Sequence, residues 1–172
     1  MHVLGAALGL AGVGFLVPRI IHAMAAGAAI ALALYAIGLL AMLGFSAAYN
    51  LSAPSRRREW LRRFDHAAIF IMIAGTYSPL TIGRVSGAWS AWLAAAVWLI
   101  AILGAGLKLA FPRRYDRLAV VAYLLLGWLG IVAIGPLLRS MPVTALLLLG
   151  IGGVLYSGGV VFHLWQRLRF QN

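Results

Sequence analysis

Six uncharged runs of 16 to 27 residues, which also lack histidine, restrict the fold of this chain more than any other feature. An α-helix rises 1.5 Å per residue, so about 20 apolar residues cross a 30 Å hydrocarbon core. The runs do not alternate polar and apolar residues as the strands of a membrane barrel do. They predict an all-α integral membrane protein, a six-helix transmembrane bundle in a single domain. The predicted spans cover about 3–18, 23–49, 66–83, 85–107, 118–138 and 142–164.

The composition excludes several other classes of protein. The chain has 172 residues, of which 64% are hydrophobic and only 10% charged, against about a quarter charged in a soluble domain. Such hydrophobicity excludes disorder. The net charge of +11 lies between the apolar runs and not on one folded face, so we expect membrane lipids as partners and no nucleic acid. Because cysteine is absent, disulfides, thiolate metal sites and cysteine nucleophiles are excluded.

The first apolar run has a competing interpretation as a signal peptide. Signal peptides carry their positive charge before the apolar stretch, whereas here Arg19 follows it. We therefore interpret residues 3–18 as a transmembrane span.

The basic residues predict the orientation in the membrane. Segments 50–63, 108–117 and 166–172 contain eleven Lys or Arg residues, and the opposite loops contain three. The positive-inside rule then places both termini in the cytoplasm, and we expect a multi-pass protein of the plasma (inner) membrane.

The longest loop, residues 52–65, is predicted to form a short amphipathic helix on the cytoplasmic interface. Trp60 and Phe64 are four residues apart and share a face that suits the headgroup region. The five arginines of this loop can meet lipid phosphates. Anchoring explains this pattern, and specific phosphoinositide recognition is the alternative.

A few polar residues are candidates for function because ionisable groups at membrane depth are costly. Ser46 and Asn50 lie on one face at the cytoplasmic end of the second span, and Asp65 and His66 open the third. His2 begins the first span on the same side. The topology therefore predicts that Ser46, Asn50, Asp65 and His2 lie at one membrane level.

Each candidate also has a structural explanation. Asp65 is suited to cap the third span or to pair with Arg62. His66 is suited to the interface, and the hydroxyl of Ser46 to a backbone carbonyl one turn back. The histidines have no H-x-x-x-H or H-x-x-E-H spacing, so spacing alone indicates a metal site only weakly.

Small residues predict where helices pack closely. Gly5 and Gly9 form a small-xxx-small pattern on the first span, and the paired glycines at 152–153 and 158–159 reduce the side-chain volume of the sixth span. Without a hydrophobic drive between helices in lipid, such positions favour close backbone approach.

At its polar residues the chain resembles the hemolysin III branch of the progestin and adiponectin receptor family. The matching stretches are Ser46-Ala-Ala-Tyr-Asn50, Leu61-Arg-Arg-Phe-Asp65-His66, Ile73-Ala-Gly-Thr-Tyr-Ser-Pro79 and Gly152-Gly-Val-Leu-Tyr-Ser-Gly-Gly-Val-Val-Phe162. The resemblance implies a seven-helix fold, of which this chain has the first six spans. The chain is then either a shortened form of a seven-span protein or a six-span relative that lost its metal.

The resemblance also implies a zinc site near the cytoplasmic side, in which Asp65 and Ser46 stand at the positions of the family's catalytic aspartate and serine. Asn50 stands at the position of a family histidine, and an amide is a poorer zinc ligand than imidazole. His2 resembles the histidine that begins the first span. The histidines of the seventh helix have no counterpart, so we expect an incomplete site and no bound zinc.

Three functions remain open from the sequence. The first is membrane permeabilisation (cytolysis) by a bundle or homo-oligomer lined by Ser46, Asn50, Thr76 and Tyr77. The second is a zinc-dependent hydrolase of ceramide-like lipid amides, and the third is a lipid-sensing receptor. Because a catalytic zinc needs three protein ligands, we favour a non-enzymatic function for this chain. The sequence identifies no protein partner.

Overall fold

The computed structural model describes residues 2–22, 25–83, 88–111, 114 and 116–164, and nearly all of them are helical, with no β-strand among them. Seven α-helices and one 3₁₀ helix follow one another in this part of the chain. Their bounds are α1 His2–Ile21, α2 Ala26–Leu51, α3 Arg56–Gly83, α4 Ala88–Ala110, α5 Asp116–Trp128, the 3₁₀ helix Leu129–Ala133, α6 Ile134–Ser140 and α7 Val143–Leu164.

Four of these helices, α1, α2, α4 and α7, are long and apolar enough to cross a membrane. The prediction of an all-α membrane protein is thereby confirmed. Large hydrophobic side chains remain exposed along these helices, among them Phe15, Trp92 and Leu148. A bilayer provides the apolar surroundings that these side chains lack within the chain.

The third predicted span belongs to a longer helix than expected. The helix α3 begins at Arg56 and runs without interruption to Gly83, so the prediction of a separate interfacial helix in residues 52–65 is wrong. The hydroxyl oxygen of Ser55 accepts a hydrogen bond from the Arg58 N–H at 3.3 Å, as an N-cap residue does. No glycine or proline follows until Gly75, so nothing separates the charged turns from the apolar ones.

The fifth predicted span, 118–138, is divided into three pieces. The helix α5 ends at Trp128, the 3₁₀ helix follows, and α6 resumes at Ile134. Gly127, Gly130 and Gly135 weaken the helix here, and Pro136 supplies no N–H for an intrahelical hydrogen bond. These residues explain why an apolar stretch of sufficient length does not form one helix.

The helices α2 and α3 form a closely packed antiparallel pair. A Cβ atom added to Gly38 would lie 3.1 Å from the Met72 Cα, and one added to Gly75 would lie 3.0 Å from the Leu34 carbonyl oxygen. Only glycine allows the two backbones to approach this closely. The contacts pair position 49 with 58, 45 with 64, 38 with 72, 34 with 75 and 27 with 82.

The core lies where α3 meets α4 and α5. Phe70 of α3 packs on Tyr123 of α5 with ring centroids 4.5 Å apart, and a side chain at Gly104 of α4 would overlap the Phe70 ring. Val97 and Ala101 of α4 are fully buried against this cluster. The helix α3 is therefore the central element, with neighbours on several of its faces.

The predicted role of the glycines is confirmed on α1 and only partly on α7. A Cβ atom at Gly9 would overlap the Leu43 side chain of α2, so the first pattern does mark a close contact. On α7, a side chain at Gly153 would meet Trp128 at 3.5 Å, but Gly152, Gly158 and Gly159 have open space beside them.

Candidate functional site

The structure brings Ser46 and Asp65 to nearly the same level. Phe45 stacks on Phe64 with ring centroids 5.1 Å apart, so these two residues fix the local register of α2 against α3. Ser46 and Asp65 each follow one of them on helices that run in opposite directions. At 1.5 Å per residue, their Cα atoms are displaced along the bundle by only about 3 Å.

The two residues also lie on the same side of the helix pair. Each is rotated by about 100° from the residue that makes the interhelical contact. In an antiparallel pair, this rotation carries both positions to the same side of the plane through the two axes. Both side chains are half-buried.

Thr76 continues this polar face along α3. It follows Asp65 by eleven residues, which is three helical turns, and its side chain is exposed. Its hydroxyl donates to the Ile73 carbonyl oxygen at 2.6 Å, which leaves the oxygen lone pairs able to accept. We name the surface formed by Ser46, Asp65 and Thr76 the polar face.

The neighbours α4 and α5 contact other faces of α3. Trp98 of α4 donates its indole N–H to the Ser78 hydroxyl at 3.1 Å, and Tyr123 of α5 donates its hydroxyl to the His66 carbonyl oxygen at 2.8 Å. Neither hydrogen bond involves the side chain of Asp65 or Thr76.

Asn50 lies farther toward the α2–α3 turn than the sequence predicted. Its side-chain amide donates to the Ser46 carbonyl oxygen at 2.8 Å, one turn back on the same helix, and the residue is exposed. By the register of the pair, Asn50 is displaced from Asp65 by about 9 Å along the bundle axis. The prediction of one common level therefore holds for Ser46 and Asp65 but is wrong for Asn50.

The other predicted metal ligand, His2, lies at the start of α1, and its side chain falls outside the described part of the molecule. Among the described residues, no group of three or more His, Cys, Asp or Glu side chains could hold a metal ion. Asp65 is the only anionic donor on the polar face. These side chains alone do not fit the three-ligand set of a catalytic zinc.

Asp65 does not cap a helix, and this prediction is wrong. Since α3 begins at Arg56, Asp65 lies in the third turn, where the backbone N–H groups already have partners within the helix. Arg62 forms an ion pair with Asp116 of α5, with N···O 3.2 Å.

Asp116 joins three helices at this end of the bundle, which the sequence did not reveal. Lys108 of α4 also pairs with Asp116, and its side chain is only 3% exposed. Partial burial alone would raise the pKa of Asp116, but the Lys108 hydrogen bond and the charges of Lys108, Arg62 and His66 together lower it below its ordinary value. The carboxylate is therefore held ionised between two cations. These partners are 54 and 8 residues away in sequence, so no local pattern could have indicated the cluster.

Tyr77 does not line a path through the bundle, contrary to the prediction. Its hydroxyl lies 3.0 Å from the Leu126 carbonyl oxygen and 2.9 Å from that of Gly127, so its hydrogen is shared between them. The same oxygen accepts from the Gly130 N–H at 2.7 Å. Tyr77 thus satisfies backbone groups freed where α5 gives way to the 3₁₀ helix.

The fold and this site define an all-α integral membrane protein with a polar face on its α2–α3 pair. The model of the family "Haemolysin-III related" matches residues 1–170. The chain is 34% identical over 174 residues to Hemolysin-3 of Bacillus cereus, covering 99% of this chain and 78% of that protein. It is 30% identical over 171 residues to the Hemolysin-3 homolog of Bacillus subtilis (strain 168), covering 99% and 80%. The chain therefore belongs to the haemolysin-III-related family. No solved structure matches it.

Proposed function

We propose that this chain permeabilises membranes as an assembly of several copies, with the polar face of α2 and α3 lining the path. The observation that carries this proposal is the position of Ser46, Asp65 and Thr76 on one side of the most closely packed helix pair. An ionisable side chain among apolar spans marks a path for water or ions more often than a contact with acyl chains. The name Hemolysin-3, borne by the relative from Bacillus cereus, supports the same function.

The test is release of a self-quenched dye from liposomes that contain the purified chain. We expect release to rise more steeply than linearly with protein density, because several copies must meet. Asp65→Asn should reduce release several-fold, since it removes the only charge on the polar face. Glu59→Gln is the matched control: Glu59 is an exposed acid six residues earlier on α3, and its loss should leave release unchanged.

Two outcomes would contradict the proposal. No release by the wild-type chain at any density would exclude permeabilisation. Equal release by the wild-type chain and Asp65→Asn would exclude the polar face as the path.

We propose a second function, zinc-dependent hydrolysis of lipid amides, on the adjacency of Ser46 and Asp65. A zinc ion would supply an activated water and polarise the scissile carbonyl. In this chain Asp65 would be one ligand, and the Ser46 hydroxyl would lie at nearly the same level as the metal. Further ligands would have to come from outside the described side chains, with His2 as the first candidate.

Metal content per chain, measured by elemental mass spectrometry on detergent-purified protein, tests this second function. About one zinc per chain, lost in Asp65→Ala, would support it. Absence of zinc from the wild-type chain after purification and after incubation with zinc would overturn it.

We also propose that the α2–α3 turn faces the cytoplasm at the inner membrane, on the strength of the five arginines in the first two turns of α3. The native chain has no cysteine, so single cysteines report accessibility without background. In cells, Ser55→Cys should resist a membrane-impermeant maleimide, and Ala25→Cys in the α1–α2 turn should react. The reverse pattern would invert the orientation.

A further inference from the structure

A small pocket lies at the α2–α3 turn, at the end of the bundle that carries the arginine cluster. Its volume is about 160 Å³, and most of its accessible lining is polar. It is formed by Tyr49, Pro54, Ser55, Arg58, Glu59 and Arg62. The pocket is separate from the polar face residues Ser46, Asp65 and Thr76.

Arg58 is the central cation of this pocket. Its guanidinium carbon lies 5.0 Å from the centre of the Tyr49 ring, which orients the planar group beside α2. Its Nε–H is enclosed and has no hydrogen-bond acceptor among the described residues. Because this nitrogen is enclosed, a ligand in the pocket would meet the planar guanidinium through its two terminal amino groups, which form charge-assisted hydrogen bonds with an anionic acceptor.

The neighbouring arginines differ from Arg58 in their contacts. Arg62 contributes to the pocket but already pairs with Asp116, and Arg63 donates to the Leu109 carbonyl oxygen at 3.3 Å and lies over Trp60. They hold α3 against α4 and α5, whereas the Arg58 guanidinium lies over the Tyr49 ring of α2. The Nε–H of Arg63 is enclosed without an acceptor among the described residues, as that of Arg58 is, but Arg63 does not line the pocket. Arg58 is therefore the cation of this cluster that is best placed for a ligand.

The length of α3 sets the depth of the pocket in a bilayer. Its 28 residues extend for about 42 Å, close to the 40–45 Å of a bilayer with its headgroups. If the apolar turns up to Gly83 cross the hydrocarbon, the first turns of α3 lie among the headgroups. Trp60 is half exposed beside the pocket, as expected of an aromatic residue at that level.

Glu59, the acidic residue of the pocket, limits the negative charge that a ligand can carry. Glu59 lines the pocket together with Arg58 and Arg62, and its carboxylate opposes a second negative charge on the ligand. A phosphodiester carries one charge, whereas a phosphomonoester carries up to two. The pocket therefore favours a singly charged lipid headgroup over a phosphoinositide.

We propose that this pocket binds the phosphodiester of an anionic lipid headgroup, with Arg58 as the principal contact and Arg62 as the second cation. The proposal does not depend on whether the chain permeabilises membranes. Phosphatidylglycerol is the probe that has the required charge and chemistry.

Native mass spectrometry of the detergent-solubilised chain, titrated with phosphatidylglycerol or phosphatidylcholine, tests the proposal. We expect one phosphatidylglycerol to bind more tightly than any phosphatidylcholine. Arg58→Gln should weaken this first binding event by about fivefold, which is the effect of one arginine near an anionic surface. The matched control is Arg56→Gln, which removes the same charge from the same helix at an exposed position outside the pocket.

Equal weakening by Arg56→Gln and Arg58→Gln would overturn the proposal, since it would mean general attraction by the charged turn. Arg58→Lys keeps the charge but loses the planar, two-pronged guanidinium, so it should bind less tightly than the wild type and more tightly than Arg58→Gln. Competition by millimolar glycerophosphoglycerol, the soluble phosphodiester headgroup of phosphatidylglycerol, separates the two sources of phosphate. No displacement supports a lipid ligand, and complete displacement overturns it in favour of a soluble phosphate ester. Variants are compared only where size-exclusion chromatography shows the wild-type profile.

Discussion

The two halves of the molecule are held together in different ways. In the first half, α2 packs against α3 through glycines that meet backbone atoms, and α3 packs against α4 through a buried apolar cluster. In the second half, the fifth span is divided, and polar contacts such as those of Tyr77 and Trp128 connect its pieces to their neighbours. Helices in a membrane associate by close packing or by interhelical hydrogen bonds. Close packing dominates between α2, α3 and α4, and hydrogen bonds contribute most where the divided fifth span meets its neighbours.

The largest effect is expected where two backbones meet. Gly75→Val would place a branched side chain against the Leu34 carbonyl oxygen, which a Cβ atom alone would already approach to 3.0 Å. Overpacking against backbone should destabilise the α2–α3 pair by about 3 kcal/mol or prevent folding. The thermal midpoint in detergent measures this loss. Gly44→Val on α2 is the control, because nothing lies within 4 Å of its Cβ position; an equal loss there would refute close packing as the cause.

The second-largest effect is expected at the hydrogen bonds between the Tyr77 hydroxyl and the divided fifth span. Tyr77→Phe removes one hydroxyl and leaves the groups freed at the division of the fifth span without their partner. We expect a loss of about 1–3 kcal/mol, since buried polar groups would be left unsatisfied. Thermal unfolding of Tyr35→Phe gives the comparison, because the Tyr35 hydroxyl makes no hydrogen bond within the part of the chain that the structure describes. A Tyr77→Phe midpoint equal to that of the wild type would show that the 3₁₀ helix does not need this hydroxyl.

The ion pairs that link the two halves predict a pH dependence. The pKa of Asp116 is lowered in the folded protein, so the stabilisation is present above the unfolded carboxyl pKa of about 3.9 and is lost as the pH falls through the lower folded value. The thermal midpoint of the wild type should therefore drop between about pH 5 and pH 3.

Asp116→Asn should have a lower midpoint at neutral pH, because Lys108 loses its anionic partner, and a flatter profile in acid. The chain has only three acidic residues, which makes the profile simple to interpret. Glu59→Gln should retain the wild-type drop. Profiles of the wild type and Asp116→Asn that run parallel in acid would assign the drop to another group.

The smallest effect is expected at the contact between α5 and α7. Trp128 donates to the Ser157 hydroxyl at 2.9 Å in a partly exposed position, so Ser157→Ala should cost about 0.5 kcal/mol. The measurement is the thermal midpoint, with Thr144→Ala at an exposed position of the same helix as the control. A loss as large as that of Gly75→Val would mean that the two halves do not differ in the way described.

Four of the apolar spans predicted from the sequence coincide with helices long and apolar enough to cross a membrane, because the cost of burying charge in lipid is local and additive along the chain. The sequence was less successful at the helix ends. Residues 52–65 and 118–138 were assigned from hydropathy, which does not report whether a charged turn continues into a span or whether glycines and a proline divide one. The contact at Gly9 was found from its spacing with Gly5, whereas the glycine pair at 158–159 has no neighbour within 4 Å among the described residues.

The candidate site, too, was predicted only in part from the sequence. Ser46 and Asp65 were selected from the sequence because polar residues in apolar spans are few, and the resemblance to the family gave each a role. Only the structure shows that Ser46 and Asp65 lie at one level, while Asn50 lies about a turn and a half away. This arrangement depends on the register of α2 against α3, which the stacking of Phe45 on Phe64 and the glycine contacts fix.

The amino-acid sequence by itself thus determined the class of protein, its family resemblance and the residues that carry charge into the membrane, since each depends on composition or local order. Only the tertiary structure decided which of these residues meet. Asp116 pairs with Arg62 across 54 residues, and the Tyr77 hydroxyl reaches a divided helix some 50 residues later. The rotation and register of the packed helices determine which residues meet, and neither can be read from the linear sequence.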